Sequence, residues 1–384
     1  MISVAAVKKV DAQQLTPVKI CVIADLHYFD TTLLIQDGPA FQQYVMMDRK
    51  LMAESHAIAE SMIDSIKMEQ PDIVLIPGDI TKDGELVCHQ QAAAYFDELE
   101  SIGAEVVVTP GNHDINNPHA FAFDFDSIIV VPGVTPATFK TVYANHGYSQ
   151  AIAQDTASLS FVVEPSPGVQ IISMDVCRYD SNYAHMHATT SGGFKPEVLQ
   201  WVKDRITDGV TQGKVVMGIM HHNLLEHYMY QKTLFSEYVI DDFDTISTQF
   251  AELGMKVVFT GHYHSQDAIM KTTADGHVIY DIETGSAVTY PCPYRVMTLN
   301  ADTTLTITGK RVEQINYNTG GVPFQQYAKT FLENGLPGIV GYILSQPPYN
   351  LDSAMIAMVT PAVVESFVAH YEGNEGTPSL LTQG

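Results

Sequence analysis

The chain has 384 residues, 46% of them hydrophobic and 17% charged, so it can form one large domain with an appendage or two domains. Its 20 basic and 44 acidic residues give a formal net charge of -24, which argues against long nucleic acid as a partner because the phosphates would be repelled. No apolar run approaches the roughly 18 residues of a membrane span, so no membrane partner is expected.

The N-terminal residues bear on the cellular compartment. Lys8 and Lys9 follow a short apolar patch, which is the reverse of a secretory signal. We therefore expect a cytoplasmic protein, or an exported one whose leader is missing from this sequence.

The four cysteines, at positions 21, 88, 177 and 292, share no close spacing, which excludes a cysteine metal knuckle.

Three predicted strands in the first part of the chain each end in a polar loop. The apolar runs 18–24, 72–77 and 104–109 are typical of buried strands. A helical pattern over 46–68 lies between the first two runs, and a second helical stretch, which ends at residue 101, lies between the second and the third. Such alternation is typical of an α/β fold with functional residues at the carboxyl ends of strands. The polar residues that follow the three strands are Asp25 and His27, then Asp79, and then Asn112, His113 and Asp114.

The third of these loops carries the most varied chemistry. Asn112 offers a neutral amide oxygen, and His113 can hold or donate a proton near neutral pH. Asp114 can accept a hydrogen bond that fixes the tautomer of His113. Gly, Asn and Asp are also the residues that a β-turn needs, so Gly111-Asn112-His113-Asp114 alone does not indicate a functional site. The similar loops before and after it in the chain make that interpretation stronger.

The middle of the chain predicts further strands. Residues 116–158 form a loose stretch that could be a lid or pocket wall, two strands over 158–164 and 169–175 follow, and Pro196 opens a helix. The later strands 214–220 and 255–260 again end in polar loops, which carry His221, His222 and Asn223 and then His262 and His264. Strand-like runs at 278–283, 294–299 and 304–308 predict a second sheet of antiparallel type.

The last part of the chain differs in composition. Three apolar segments over 324–334, 336–345 and 353–371 predict helices, separated by Gly and Pro-Pro signals. No cluster of metal-binding side chains occurs there. We predict an N-terminal segment at 1–17, a catalytic domain at 18–312 and a helical extension at 313–384 that ends in a frayed tail from residue 373.

Five strand ends thus present side chains of metal-ligand type, none of them cysteine. The alternative explanation, capped turns and internally bonded histidines, must account for the same coincidence five times. Oxygen and nitrogen ligands of this kind suit Mn, Fe, Zn, Ni or Co. We therefore predict a site for divalent or trivalent metal ions.

In this order, the motifs resemble those of the calcineurin-like metallophosphoesterases, which are Asp-x-His, Gly-Asp, Gly-Asn-His-Asp/Glu, His and Gly-His-x-His. The resemblance extends over 18–312 and implies a four-layer α/β/β/α sandwich, here with a small C-terminal helical appendage. It also implies two metal ions, with Mn, Fe and Zn as the first candidates. The implied ligands are Asp25, His27, Asp79 and His264 for one ion, and Asp79, Asn112, His221 and His262 for the other.

The resemblance further implies a reaction. Two ions that share Asp79 would lie about 4 Å apart and activate a hydroxide that attacks phosphorus. His113 would stabilise the developing charge or protonate the leaving oxygen, with Asp114 orienting it. Purple acid phosphatases of this superfamily have a tyrosine three residues after the Gly-Asp aspartate, where this chain has Lys82, so a purple iron centre is not expected. The most similar subgroup is the bacterial phosphodiesterases related to cyclic-nucleotide phosphodiesterases that carry a helical extension.

The loops around these positions bear on the substrate. They carry few cations, chiefly Lys82 and Arg178, whereas His222, Asn223 and His227 are neutral candidates for binding a base or sugar. A diester carries less charge than a monoester, so we predict a hydrolase of small-molecule phosphodiesters. The alternatives are a phosphomonoesterase that uses the same site and a non-catalytic protein that binds metal or phosphate.

Overall fold

The computed structural model of the chain describes residues 15–46, 48–347 and 349–373. Most of the predicted N-terminal segment and all but the first residue of the predicted frayed tail lie outside these residues. The strands in chain order are β1 (Val18–Val22), β2 (Leu34–Gln36), β3 (Ile73–Pro77), β4 (Glu105–Thr109), β5 (Phe121–Asp124), β6 (Ser127–Val130), β7 (Ala153–Gln154), β8 (Phe161–Ser166), β9 (Val169–Ser173), β10 (Val215–Ile219), β11 (Val257–Thr260), β12 (Ala268–Thr272), β13 (Val278–Glu283), β14 (Pro293–Leu299) and β15 (Leu305–Arg311).

Helices alternate with the strands of the two main sheets and then form the C-terminal part. In chain order they are α1 (Pro39–Met46), α2 (Ser55–Glu69), α3 (Leu86–Ser101), α4 (Pro136–Val142), α5 (Asn182–His185), α6 (Pro196–Thr211), α7 (Gln231–Leu234), α8 (Phe243–Leu253), α9 (Phe324–Ser345) and α10 (Ser353–Glu372). The helix predicted over 46–68 begins only at Ser55, because residues 48–54 form turns.

The first main sheet has the strand order β15-β14-β1-β3-β4. Strands β1, β3 and β4 are parallel, whereas β14 pairs antiparallel with both β1 and β15. Every residue of β3 is buried, as expected for a central parallel strand with both faces covered.

The second main sheet has the order β12-β13-β11-β10-β9-β8-β7. Its strands β9, β10, β11 and β13 are parallel. The prediction of a separate antiparallel sheet after residue 278 is therefore wrong, because β13 completes this sheet and β14 and β15 complete the first one. Strand patterns alone do not say which earlier strand supplies the hydrogen-bonding partner.

The two main sheets pack face to face with helices outside them. The Ser173 hydroxyl at the end of β9 donates to the Val108 carbonyl of β4 at 2.9 Å, so the sheets are in direct contact. Alternate side chains of β10 serve different layers: Met217 lies in the core between the sheets, and Val216 packs with α6 and α8. Helices α2 and α3 cover the first sheet. The four-layer α/β/β/α arrangement predicted from the sequence is confirmed.

The stretch 116–158 is more ordered than the sequence predicted. It contains β5 and β6, which form a small sheet with β2 in the order β2-β5-β6, together with α4 and a π-helical turn at Ala144–Tyr148. Aromatic side chains such as Phe123 and Phe139 are fully buried there. Aromatic packing, rather than an extended apolar run, holds this region, which explains why strand and helix patterns did not reveal it.

The C-terminal part consists of two long helices rather than three segments. Gly335, where the sequence predicted a break, and Pro337 both lie inside α9. The residues Phe324, Ala328, Leu332 and Leu336, spaced four apart, bury one face of α9 in the same core as the first sheet. This packing fixes the helix and outweighs the cost of the proline.

Helix α10 is long and apolar enough, by length and composition alone, to cross a membrane. Its most apolar 18-residue window is 11% buried, and the other side chains of that window are partly or fully exposed. The sequence alone did not predict such a helix, because Thr360, Pro361 and Glu365 interrupt the apolar run.

Candidate metal centre

Both main sheets direct the carboxyl ends of their parallel strands to one site. Because the sheets pack face to face, loops that are far apart in sequence meet between them. The first sheet supplies Asp25 and His27 after β1, Asp79 after β3, and Asn112 and His113 after β4, and the second supplies His221 after β10 and His262 and His264 after β11. The structure thus brings together every residue predicted as a metal ligand, and all of them are buried.

The first group of candidate ligands consists of Asp25, His27 and His264. The Nε2 atoms of the two histidines are 3.2 Å apart. The Asp25 Oδ1 atom lies 3.5 Å from Nε2 of His264 and 4.0 Å from Nε2 of His27. Ligand atoms around one ion, each about 2.0 to 2.2 Å from it, have separations of this size.

The second group consists of Asp79, His221 and His262, with Asn112 beside them. The Nε2 atom of His221 is 2.9 Å from the amide oxygen of Asn112 and 3.3 Å from Oδ2 of Asp79. The ring centroids of His221 and His262 are 4.5 Å apart. An amide oxygen, a carboxylate and two imidazoles therefore converge as one set of donors.

Asp79 belongs to both groups. Its Oδ2 atom lies 3.6 Å from Nε2 of His27 and 3.3 Å from Nε2 of His221. Its Oδ1 atom accepts a hydrogen bond from the backbone N–H of His113 at 2.9 Å, which holds the carboxylate in place. One carboxylate that faces two sets of donors is the arrangement needed to bridge two ions.

The backbone is strained where these side chains are presented. Five of the candidate ligands have positive φ angles, an uncommon conformation for residues other than glycine: Asp25 (49°), His27 (39°), Asp79 (46°), His262 (76°) and His264 (70°). Such strain costs free energy and persists where the surrounding structure enforces it, often at functional sites.

Two glycines of the predicted motifs allow the ligand loops to pack closely. A Cβ atom on Gly111 would lie 2.0 Å from the backbone nitrogen of Asp79, and one on Gly261 would lie 2.3 Å from Oδ2 of Asp25. Any side chain at either position would push an aspartate out of the site. Close approach of the backbone is therefore the physical reason for these glycines.

Hydrogen bonds to backbone carbonyls fix the tautomers of two histidines. Because a carbonyl only accepts, Nδ1 of His221 donates to Pro77 at 3.0 Å and Nε2 of His262 donates to Glu237 at 3.3 Å. The other nitrogen of each ring is the one that can bind a metal ion. Second hydrogen bonds of this kind commonly orient histidines that bind metal.

The electrostatics of the site fit a cation. Burial lowers the pKa values of His27, His262 and His264 well below the usual range, so these rings are neutral and can donate a lone pair. Burial also opposes a charge on His221, but the Asp79 carboxylate outweighs it and raises the pKa of His221 to about 9. The site thus stabilises a positive charge beside Asp79, which a metal ion can supply instead.

His113 differs from the candidate ligands in exposure and in its partner. Its side chain is 26% exposed, whereas those of His27 and His221 are at most 1% exposed, so it can meet a substrate. Its Nδ1 atom lies 2.8 Å from the Lys82 carbonyl and 2.9 Å from Oδ1 of Asp83. Although burial opposes it, the charges of Asp79 and Asp83 raise the pKa of His113.

This geometry corrects the predicted role of Asp114. Its carboxylate accepts hydrogen bonds from the backbone N–H groups of Ile80, Thr81 and Gly111 at 3.2, 3.0 and 2.8 Å, and it does not orient His113. Asp114 instead ties the loop of Asp79 to the loop of Asn112. The sequence analysis missed Asp83 because it is 30 residues from His113 in the chain, and only the fold brings the two together.

The structure also corrects the predicted substrate contacts of His222, Asn223 and His227. All three side chains are buried, and each has an internal polar partner. His222 donates to the Thr190 carbonyl at 2.7 Å, and the Asn223 amide group donates to Thr260 at 3.2 Å. Nδ1 of His227 lies 3.0 Å from Oδ2 of Asp267. These residues hold the loops around the site rather than face a substrate.

The cations near the site also differ from the prediction. Lys82 is fully buried in ion pairs with Asp83 and Glu85, so it cannot reach a substrate. Two other residues that the sequence did not identify, Arg49 and Lys50, have positive charges that help burial to lower the pKa of His264. They belong to a turn without a recognisable motif, so no sequence signal identified them.

A family model described as Calcineurin-like phosphoesterase matches residues 18–266. The matched segment contains every candidate ligand, from Asp25 to His264. No curated protein matches the chain.

Two solved structures show the fold. The chain is similar to a dimetal phosphatase from Danio rerio at 15% identity and a TM-score of 0.51, covering 78% of this chain and 98% of that one. It is also similar to a purple acid phosphatase from yellow lupin (Lupinus luteus) seeds at 10% identity and a TM-score of 0.50, covering 78% of this chain and 52% of that one. The metallophosphoesterase fold predicted from the motifs is therefore confirmed.

Proposed function

The chain belongs to the calcineurin-like phosphoesterases, and from this premise we propose that it hydrolyses a small-molecule phosphodiester with the help of two metal ions. The single observation that carries the proposal is the position of Asp79, whose Oδ2 atom faces His27 at 3.6 Å and His221 at 3.3 Å. One carboxylate between two sets of donors suits a pair of ions, each held by oxygen and nitrogen.

The proposed ligands are those implied by the family motifs. Asp25, His27, Asp79 and His264 would hold one ion, and Asp79, Asn112, His221 and His262 the other. When bound, the pair would supply Lewis-acid stabilisation of phosphate charge and a water of lowered pKa.

His113 is the proposed acid of the reaction. Its Nδ1 proton is held by the Lys82 carbonyl and the Asp83 carboxylate, so its Nε2 atom is the one left for a substrate. The raised pKa of His113 favours a protonated ring that can donate to a departing oxygen or stabilise charge on phosphate. Asp83 orients this ring and favours its charge.

The charges around the site favour a monoanionic diester. Lys82 is compensated by Asp83 and Glu85, and Lys50 lies 3.3 Å from Asp48. Among the described residues, Arg49 is the cation near His264 that forms no salt bridge of this kind. A single cation without a salt bridge matches a diester better than a dianionic monoester.

A phosphomonoesterase is the second candidate, and Lys50 is the observation that favours it. Its charge helps to lower the pKa values of both His27 and His264, so it acts directly on the site. If a dianionic substrate drew Lys50 away from Asp48, the site would gain a second cation.

The proposal is tested by comparing bis(p-nitrophenyl) phosphate with p-nitrophenyl phosphate in the presence of Mn²⁺, with Asp79→Asn as the inactive control. We expect metal-dependent hydrolysis of both compounds and a higher kcat/KM for the diester. A tenfold preference for the monoester would overturn the choice of diester. Absence of turnover with Mn²⁺, Fe²⁺ and Zn²⁺ would overturn the proposed hydrolase.

A further inference from the structure

A cavity of about 380 Å³ lies beside the candidate metal centre, and the C-terminal helices form one of its walls. We call it the side pocket. Its volume falls in the range of about 300 to 1,000 Å³ found for small-molecule sites. One wall comes from α9 and α10, and the opposite wall consists of Leu234, Phe235, Tyr238 and Tyr263.

The side pocket adjoins the centre, with Tyr238 and Tyr263 standing between the two. Tyr263 lines the pocket and stands between His262 and His264 in the chain. The ring of Tyr238 also lines it, and its centroid is 4.6 Å from that of His262. A group bound in the pocket would therefore lie next to a substrate phosphate at the centre.

The walls of the side pocket are mainly apolar. The α9 residues that face it follow the spacing of one helix face: Leu336, Ile339, Val340 and Ile343. Ile343 is 37% exposed and Leu234, on the other wall, is 49% exposed, so these apolar side chains face an open space. An apolar group between them would remove that surface from water, whereas a polar group there would find few hydrogen-bond partners.

Arg49 is the cation at the edge of the side pocket, which the carboxylates Asp48 and Glu237 also line. Its Nη1 atom donates to the Tyr371 hydroxyl at 2.6 Å, which anchors the guanidinium group to α10. The same side chain lines the pocket together with Tyr263, which directly precedes His264 in the chain. It is thus placed to pair with an ester oxygen between the metal centre and the apolar walls.

We propose that the side pocket binds the apolar substituent of the phosphoester, so that the C-terminal helices select substrates with a bulky hydrocarbon group. This inference rests on the proposed function, since it places the phosphate at the metal centre. Its substrate class is an ester that combines one phosphate with an aromatic or aliphatic group.

The test measures the binding of two stable monoanionic phosphonates, methyl methylphosphonate and hexyl methylphosphonate, to the full chain loaded with Mn²⁺ by titration calorimetry. We expect the hexyl compound to bind at least about tenfold more tightly, because its extra methylene groups leave water. Both compounds should compete with bis(p-nitrophenyl) phosphate.

Substitutions in the pocket walls test whether the preference for the hexyl compound arises in the side pocket. Ile343→Gln and Leu234→Gln should each reduce the hexyl-to-methyl ratio of affinities by about three- to tenfold. Tyr342→Gln is the matched control, because Tyr342 is next to Ile343 on α9, is 60% exposed and does not line the pocket. It should leave the ratio unchanged.

The outcomes separate the two proposals. Equal affinity for the two phosphonates in a protein that hydrolyses the diester would overturn the side pocket and leave the proposed function intact. Failure of both phosphonates to bind, together with absence of turnover, would overturn the proposed function and the inference that rests on it. A hexyl preference that survives both wall substitutions would place the binding of the hydrocarbon elsewhere.

Discussion

At the scale of single residues, Asp79 has the most demanding position. It follows a buried strand, has a positive φ angle of 46°, and faces candidate ligands from both sheets. Several charges act on it: burial disfavours its ionised form, but His221 and His113 outweigh burial and lower its pKa well below the usual range. The carboxylate is therefore ionised at neutral pH, as a bridging ligand must be.

We predict that Asp79→Asn removes both metal ions rather than one. An amide keeps the shape of the carboxylate but lacks the negative charge that offsets two cations. Elemental analysis of purified protein should show about two ions per chain in the unchanged protein and far fewer in the variant. Asp126→Asn, at an exposed turn, is the control and should keep both ions. Retention of one tightly bound ion by the Asp79 variant would show that Asp79 is not a bridge.

His113 and Asp83 are in contact although 30 residues separate them in the chain, so the sequence did not predict this pair. Asp83 Oδ1 lies 2.9 Å from Nδ1 of His113 and also accepts from the Asn117 amide group at 3.2 Å. Lys82 pairs with the same carboxylate and, despite burial, lowers its pKa, so Asp83 is ionised. The charge on Asp83 can then hold the ring of His113 in one orientation.

We predict that His113→Ala lowers kcat by about 10² to 10⁴ and that Asp83→Asn lowers it by about tenfold, both without loss of metal. Because Asp83 acts through His113, the double variant should be no slower than His113→Ala alone. Metal analysis and steady-state kinetics on the three variants provide the measurement. Additive losses would mean that Asp83 acts independently of His113, and loss of metal from His113→Ala would identify it as a ligand.

At the scale of elements, α9 joins the C-terminal part to the catalytic core. Its buried face shares the core of the first sheet, and the Tyr327 hydroxyl donates to the Glu54 carboxylate just before α2. The opposite end of α9 lines the side pocket. Packing of this helix therefore couples the stability of the core to the shape of the site.

We predict that Leu332→Ala lowers the free energy of unfolding by about 2 to 5 kcal/mol, the cost of removing a fully buried leucine side chain. Leu332 is 1% exposed, whereas Met358 on α10 is 72% exposed. Met358→Ala is therefore the control and should change stability by less than about 0.5 kcal/mol. Denaturant titration of both variants measures the difference, and equal stabilities would show that α9 lies outside the cooperative core.

At the scale of the whole molecule, the candidate centre connects the two sheets. Asp25, Asp79 and Asn112 come from the first sheet, and His221, His262 and His264 come from the second. Carboxylates and imidazoles buried between the sheets are costly without a cation. Metal binding should therefore stabilise the packing of one sheet against the other.

We predict that chelation lowers the melting temperature by about 5 °C, since a ligand that binds only the folded state adds about 3 to 4 kcal/mol at concentrations well above its Kd. Differential scanning calorimetry with and without EDTA measures the shift, and added Mn²⁺ should restore it. Asp79→Asn should melt at the same temperature with and without EDTA. An unchanged melting temperature in the chelated parent protein would contradict a structural role for the ions.

The sequence determined the local features: the buried strands, the polar residues that follow them and the order of the motifs. Apolar runs and glycines act over a few neighbouring residues, so they can be read without the fold. The family motifs then identified Asp25, His27, Asp79, Asn112, His221, His262 and His264 as one set, which the structure brings together.

Only the tertiary structure decided the contacts between distant parts of the chain. It paired His113 with Asp83 instead of Asp114, buried Lys82 and Asn223, and brought Arg49 to the site. It also joined β14 to β1 and placed α9 against the core. Hydrogen bonds and packing between residues tens or hundreds of positions apart depend on how whole layers stack, and the local pattern of side chains does not encode which partner each one meets.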